Sequence, residues 1–222
     1  MRRDLPDTAL TATLPILLFD ERRLTPSFGY VFHRKWVDPG ESIVSILWKF
    51  ARMNALAGHV LATQVATHPV DPYEGIEPRR ELVDVRRLRQ ALGLPLKVLR
   101  AALLPPQNFR ITSPYLRFCT KCLRRGYHGV LHQLELLQQC PMHGGWLQTD
   151  CRRCGQPTPF RLNARLLDAP FRCGNCRAYY VSQQPSFLTR RELPLRARIA
   201  LTQTTTASFG VSCAHSRALS PC

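Results

Sequence analysis

The stretch DPGESIVSILWKFARMN, residues 38–54, places apolar side chains at Ile43, Ile46, Leu47 and Phe50. That is the rhythm of a helix with one buried face. Val44 and Trp48 widen the face, which predicts burial on two sides. Asp38 reads as the N-cap, Pro39 as the first helical residue and Glu41 as the far member of a capping box. A second helix is expected through ALAGHVLATQVA. Further on, Leu82, Val85, Leu88 and Leu92 form one stripe, and Leu96, Leu99 and Leu103 the next, with Gly93–Pro95 between them. Two short amphipathic helices joined by a Gly-containing turn are the outline of a helix-turn-helix.

The rhythm stops at LPPQNFRITSP, residues 104–114, which reads as a linker. Beyond it, apolar residues are scattered and only Val130, Leu134 and Leu137 hint at another short helix. After VSQQPS, residues 181–186, the chain gains Ser and Thr and loses periodicity. At most one short helix near Leu195–Leu201 is expected there, followed by disorder and an end that reads as a truncation or a drifted frame. The expected organisation is an N-terminal extension (1–35), a helical region (36–110), a second module (111–181) and a poorly ordered tail (182–222). The fold class is mainly α.

Charge changes the picture. Lys and Arg total 31 against 15 Asp and Glu, for a formal net charge of +16. A surplus of that size favours a polyanionic partner, nucleic acid first. Arg86, Arg87, Arg89, Lys97 and Arg100 lie off the leucine stripes, where they can contact phosphate or simply face solvent. No stretch approaches the ~20 apolar residues of a membrane span, and the start lacks the features of a signal peptide. A cytoplasmic setting is expected, in which thiols stay reduced and cysteines point to metal.

There are nine cysteines, and their spacing carries the chemistry. Cys119 and Cys122 are followed by Cys140 and His143; Cys151 and Cys154 are followed by Cys173 and Cys176. Each half is a C-x2-C pair, a spacer, then C-x2-H or C-x2-C, the spacing of structural zinc sites. The fold class is therefore completed by two tandem zinc-ribbon or zinc-finger units, with two Zn2+ ions as cofactors. Sequential and cross-braced pairings are both possible. Gly144 and Gly145 in the first half, and Gly155 and Gly174 in the second, favour the sequential one. Four protein donors per ion leave no position for a reacting water, so an enzyme is not expected. His128 and His132 read as packing or surface residues, Trp146 as a cover over the metal sites, and Cys213 and Cys222 as free thiols. The cysteine-rich half is expected to unfold without metal.

Three stretches resemble the TniQ family of transposition target-selection proteins. They are WVDPGESIVSILWKFARMN, LRQALGLPLKVLRAALLP and, most specifically, RFCTKCLRRGYHGVLHQLELLQQCPMHGGWLQTDCRRCG. The likeness spans about Trp36 to Tyr180. It implies the same eight metal ligands and an adaptor role. Such proteins link DNA, or an RNA-guided CRISPR complex, to an AAA+ transposition ATPase, and the resemblance implies a bacterial setting; a homodimer is a separate expectation. Two positions depart from the family pattern: Thr120 stands where proline is usual, and His132 where an aromatic residue is common. The competing expectations are a stand-alone zinc-containing DNA-binding regulator and a decayed mobile-element remnant.

Overall fold

The computed structural model describes residues 30–104, 111–182 and 192–215, with the side chains of 206 and 209–215 excepted. Seven α-helices follow in chain order: α1 (Ile43–Asn54), α2 (Gly58–Val65), α3 (Val85–Leu92), α4 (Leu96–Ala101), α5 (Thr120–Arg124), α6 (Ala164–Leu167) and α7 (Leu195–His215). Among the described residues there is no sheet; extended segments meet only through isolated bridges. None of the described helices is long and apolar enough to cross a membrane.

Helix α1 is the centre of the core, and Ile43 through Phe50 are all fully or nearly fully buried. It starts later than the sequence suggests. Its N-cap is Ser42, whose hydroxyl accepts the Ser45 N–H at 3.3 Å. Glu41 does reach back to the Asp38 N–H, at 2.9 Å, as a capping box would. The residues between them form a turn instead, with Gly40 at φ +69°. The reason lies across the fold. Ser42 N–H donates to the His128 carbonyl at 2.7 Å and Val130 N–H to the Gly40 carbonyl at 2.9 Å, which commits this backbone to the neighbouring segment. At the other end of α1, Asn54 brackets the Val31 backbone from its N–H and its carbonyl, and Tyr30 packs edge-on against Phe50.

The predicted helix pair forms. Asp84 caps α3 by accepting the N–H groups of Arg86 and Arg87 at 3.1 and 2.9 Å. Gly93, at φ +64°, ends the helix in the left-handed conformation that glycine adopts without strain. Leu88, Leu92, Leu99 and Leu103 are buried as the stripes require.

The segment between Cys154 and Cys173 folds back onto the helical region. Its helix α6 packs on α1 and α2. Trp48 Nε1 donates to the Leu166 carbonyl at 2.8 Å, and the Trp48 and Phe171 rings lie 5.0 Å apart. Gly58 N–H donates to the Asp168 carboxylate. One apolar cluster therefore runs from Ile43 to Val181 and includes Leu116, Phe118, Cys151 and Cys173. The boundary drawn near residue 110 does not interrupt this core. Gly58 marks the closest approach. A Cβ there would stand 2.5 Å from the Ala164 carbonyl oxygen and 2.6 Å from the Asp168 nitrogen. Because both neighbours are backbone, Gly58→Ala is expected to destabilise the protein by about 2–3 kcal/mol, the upper range for overpacking, measured as a shift in the urea midpoint.

Three sequence expectations are corrected here. The Val130, Leu134 and Leu137 pattern is not an α-helix but a single 3-10 turn, Val130–Gln133, because those backbone groups pair with Gly40 and Ser113 instead. The tail is not limited to one short helix: α7 runs to His215, and Leu193 and Leu201 bury against Leu131 and Leu134. Periodicity failed to show this helix because few of its described side chains touch the body. Trp146 is 68% exposed rather than packed down as a cover. The thiols assigned to Cys213 and Cys222 lie outside the described side chains.

Candidate metal centres

Eight donors gather as two quartets in sequential order. Cys119, Cys122, Cys140 and His143 form one, and Cys151, Cys154, Cys173 and Cys176 the other; within each, the donor atoms all lie within 4.8 Å of one another. The cross-braced pairing is not what the fold builds.

The first quartet is assembled from a helix end and a knuckle. Cys119 is the N-cap of α5 and Cys122 sits in its first turn. Thr120, where the family pattern favours proline, is the first residue of α5, a position that accepts either. The second pair rides a tight loop closed by Cys140 N–H to Gly145 and Gly144 N–H to Cys140, both 2.8 Å, with Gly144 at φ +65°. Cys122 Sγ lies 3.6 Å from Cys140 Sγ and 3.3 Å from His143 Nδ1, while Nδ1 is 3.6 Å from the Cys119 and Cys140 sulfurs. Sulfurs bound at about 2.3 Å to one tetrahedral ion stand about 3.8 Å apart, with sulfur–nitrogen edges slightly shorter. The donors already occupy such corners.

The second quartet uses two knuckles of the same design. Gly155 N–H returns to Cys151 at 2.8 Å and Arg177 N–H to Cys173 at 3.0 Å. Gly155 takes φ +67°, and Arg177 takes φ +62° at the equivalent position. Sulfur pairs stand 3.6 and 3.7 Å apart across the site. Backbone N–H groups of Arg153 and Asn175 point at the Cys151 and Cys173 sulfurs from 3.4 Å. Such contacts favour thiolate over thiol, the form that binds metal.

Both quartets thus fit a metal ion in geometry and chemistry. Sets of three sulfurs with one nitrogen, and of four sulfurs, suit a borderline-soft tetrahedral ion. In the first site the Cys119 and Cys140 thiolates hold the His143 imidazole up to about 9, so a cation is favoured at Nδ1 even as a proton. A coordinated ion takes that proton's place.

Behind the first site lies a buried polar network. Glu41 pairs with Lys49, both side chains fully buried, and accepts the Ser45 hydroxyl at 2.6 Å. Lys49 Nζ also donates to the Trp36 carbonyl at 2.6 Å. The Ser42 hydroxyl and His128 Nδ1 are 2.6 Å apart, and His128 Nε2 donates to the Arg117 carbonyl at 2.8 Å. Because Nε2 faces a carbonyl, it carries the proton, and Nδ1 accepts from Ser42. Tyr127, wholly buried beside Cys119, Cys122 and Cys140, sends its hydroxyl to the Pro39 carbonyl at 3.2 Å. The first quartet is thereby tied to the start of α1. Sequence reading did not single out this network. Glu41, Ser45 and Lys49 recur every four residues through an otherwise apolar stretch, and that polar stripe was the available signal.

Burial pulls His128 down to about 4. The neutral ring is thus kept in the fold, whereas the unfolded chain takes up a proton near the ordinary value of about 6.5. Between those values the unfolded state binds more protons. Stability is therefore present above pH ~6.5 and lost as pH falls towards 4, by up to about 1.4 kcal/mol per pH unit. Urea titrations across that window, with metal saturating, are expected to show the decline; a flat profile would contradict it.

The five basic residues singled out on α3 and α4, Arg86, Arg87, Arg89, Lys97 and Arg100, are all exposed. The Arg87 guanidinium donates to the Gln64 carbonyl at 3.1 Å and lies 3.8 Å from Asp84. A second basic surface surrounds the second quartet, where Arg152, Arg153, Arg165 and Arg177 ring the knuckles. Comparisons with protein-family models and with curated proteins returned no match.

Proposed function

We propose that this protein is a non-catalytic, zinc-stapled adaptor that selects targets for transposition, joining DNA or an RNA-guided complex to an AAA+ ATPase. The observation that carries the non-catalytic, docking part is the pair of four-donor quartets. Four protein donors per ion make each site structural, and zinc is the ion their geometry and softness suit best. The transposition part rests on the TniQ-like motifs. Within them, Tyr127, Gln133 and the C-P-x-H loop each do structural work around the first site: Tyr127 lines it, Gln133 bonds Arg117 N–H at 2.8 Å, and the loop supplies two donors.

Helix α4 spans six residues, about 9 Å. That is little length for reading a groove alone, which favours an adaptor over a stand-alone regulator. Its basic face instead suits phosphate contact within a larger assembly. The test is a pull-down with an AAA+ transposition ATPase, where one is encoded nearby, with and without DNA. Capture that depends on metal loading is expected. Footprinting of a specific site by this protein alone, with no ATPase association, would favour the regulator.

A further inference from the structure

His132, which departs from the family pattern, falls against a metal site. Its ring is buried to 1% exposure, edge-on to Tyr127 and His128. Nε2 lies 3.7 Å from Cys122 Sγ and 3.7 Å from Cys140 Sγ. Nδ1 faces the Gly129 backbone N–H at 3.2 Å.

That last contact decides the tautomer. A backbone N–H can only donate, so Nδ1 must be the accepting nitrogen and the proton sits on Nε2. The ring therefore presents an N–H, not a lone pair, to both sulfurs. A metal ligand needs the lone pair. The ligand nitrogen of the first quartet is supplied by His143, and His132 stands outside the four mutually close donors. It lies over the Cys122–Cys140 edge.

We infer that His132 is a positioning residue of the first metal site: its Nε2–H bridges the Cys122 and Cys140 thiolates and, by holding their charge and orientation, sets the affinity of that site for zinc. Three thiolates around one Zn2+ leave a net charge of about −1 in a buried setting, which donors from the protein must disperse. At the second quartet, backbone N–H groups do this. At the first, a side chain does, and Gly129 fixes it in turn. Gly129 itself pairs with Glu41, so the same chain of contacts runs to the turn that opens α1. Groups that orient metal ligands from behind typically change affinity by about 10–100-fold when removed.

The inference rests on the zinc reading, and the experiment separates the two. The full chain, His132→Leu and His132→Gln are loaded with zinc and titrated with a chromophoric chelator. Leu and Gln are similar in bulk, and only Gln keeps an N–H near the position of Nε2. One of the two zinc equivalents is expected to weaken about 10–100-fold in His132→Leu and to stay within about threefold in His132→Gln, with the other equivalent unchanged in both. Equal affinities in the two variants would overturn the role assigned to His132. Failure of the unaltered protein to bind two equivalents would overturn the zinc reading instead. A measurement on the unaltered chain guards against variants that do not fold: in the cadmium-loaded protein, imidazole NMR is expected to show direct nitrogen–cadmium coupling for His143 and an Nε2-protonated ring for His132. Direct coupling at His132, or a proton on its Nδ1, would also refute the inference.

Discussion

Replacing Cys173 with serine is expected to unfold the helical region together with the segment that carries the cysteine. Cys173 is fully buried, and the loop it closes holds α6 against α1 and α2 and Phe171 against Trp48 of α1. Losing one of four ligands removes much of an apparent binding energy that reaches about 10–16 kcal/mol for a structural zinc. A domain of this size has about 5–15 kcal/mol in total, so the loss consumes most or all of it. Trp48 would lose both its carbonyl acceptor at Leu166 and its ring partner Phe171. Far-UV circular dichroism and hydrogen exchange across residues 43–103 provide the check. Full helical signal and undiminished protection there would show that the two regions do not share a core.

Lys49→Met is expected to cost about 3–5 kcal/mol, the usual penalty for stripping one member from a buried ion pair. The Glu41 carboxylate would keep the Ser45 hydroxyl and the Asp38 N–H but lose the Lys49 ammonium, in a position where its own side chain is wholly buried. The pair holds the turn before α1, which donates a backbone bond to His128 and accepts one from Val130, both in the segment between the two ligand pairs of the first quartet. Adding Glu41→Gln to Lys49→Met is expected to recover a large part of the loss, because the stranded charge is gone. Urea unfolding of both single variants and the double variant, at fixed zinc, measures this coupling. A Lys49→Met protein as stable as its parent would refute the account of the pair.

The metal ligands were legible in the sequence because tetrahedral coordination fixes local spacing, and spacing is written in the chain. The helix pair was legible for a similar reason: Leu88, Leu92 and Leu99 repeat at helical intervals, and Gly93 marks the break. What could not be read depends on distant partners. The start of α1 moved from Pro39 to Ile43 because Gly40 and Ser42 bond to residues nearly ninety positions away. The pairing of Lys49 with Glu41 emerges only where the fold brings the two buried side chains together. Trp146 was expected to pack because large aromatics usually do, yet its knuckle projects it outward. The donor quartets left open which residues stand behind them, and His132 became informative only when Gly129 fixed its proton.

The return of the Cys154–Cys173 segment to α1 and α2 has a consequence for synthesis. A nascent chain that has emerged only as far as Cys154 already displays Trp48, Leu61 and Val65, but their cover is still inside the ribosome. The helical region therefore cannot mature as it leaves the tunnel. It must wait for later residues, and until they arrive this apolar surface stays open to chaperones and proteases.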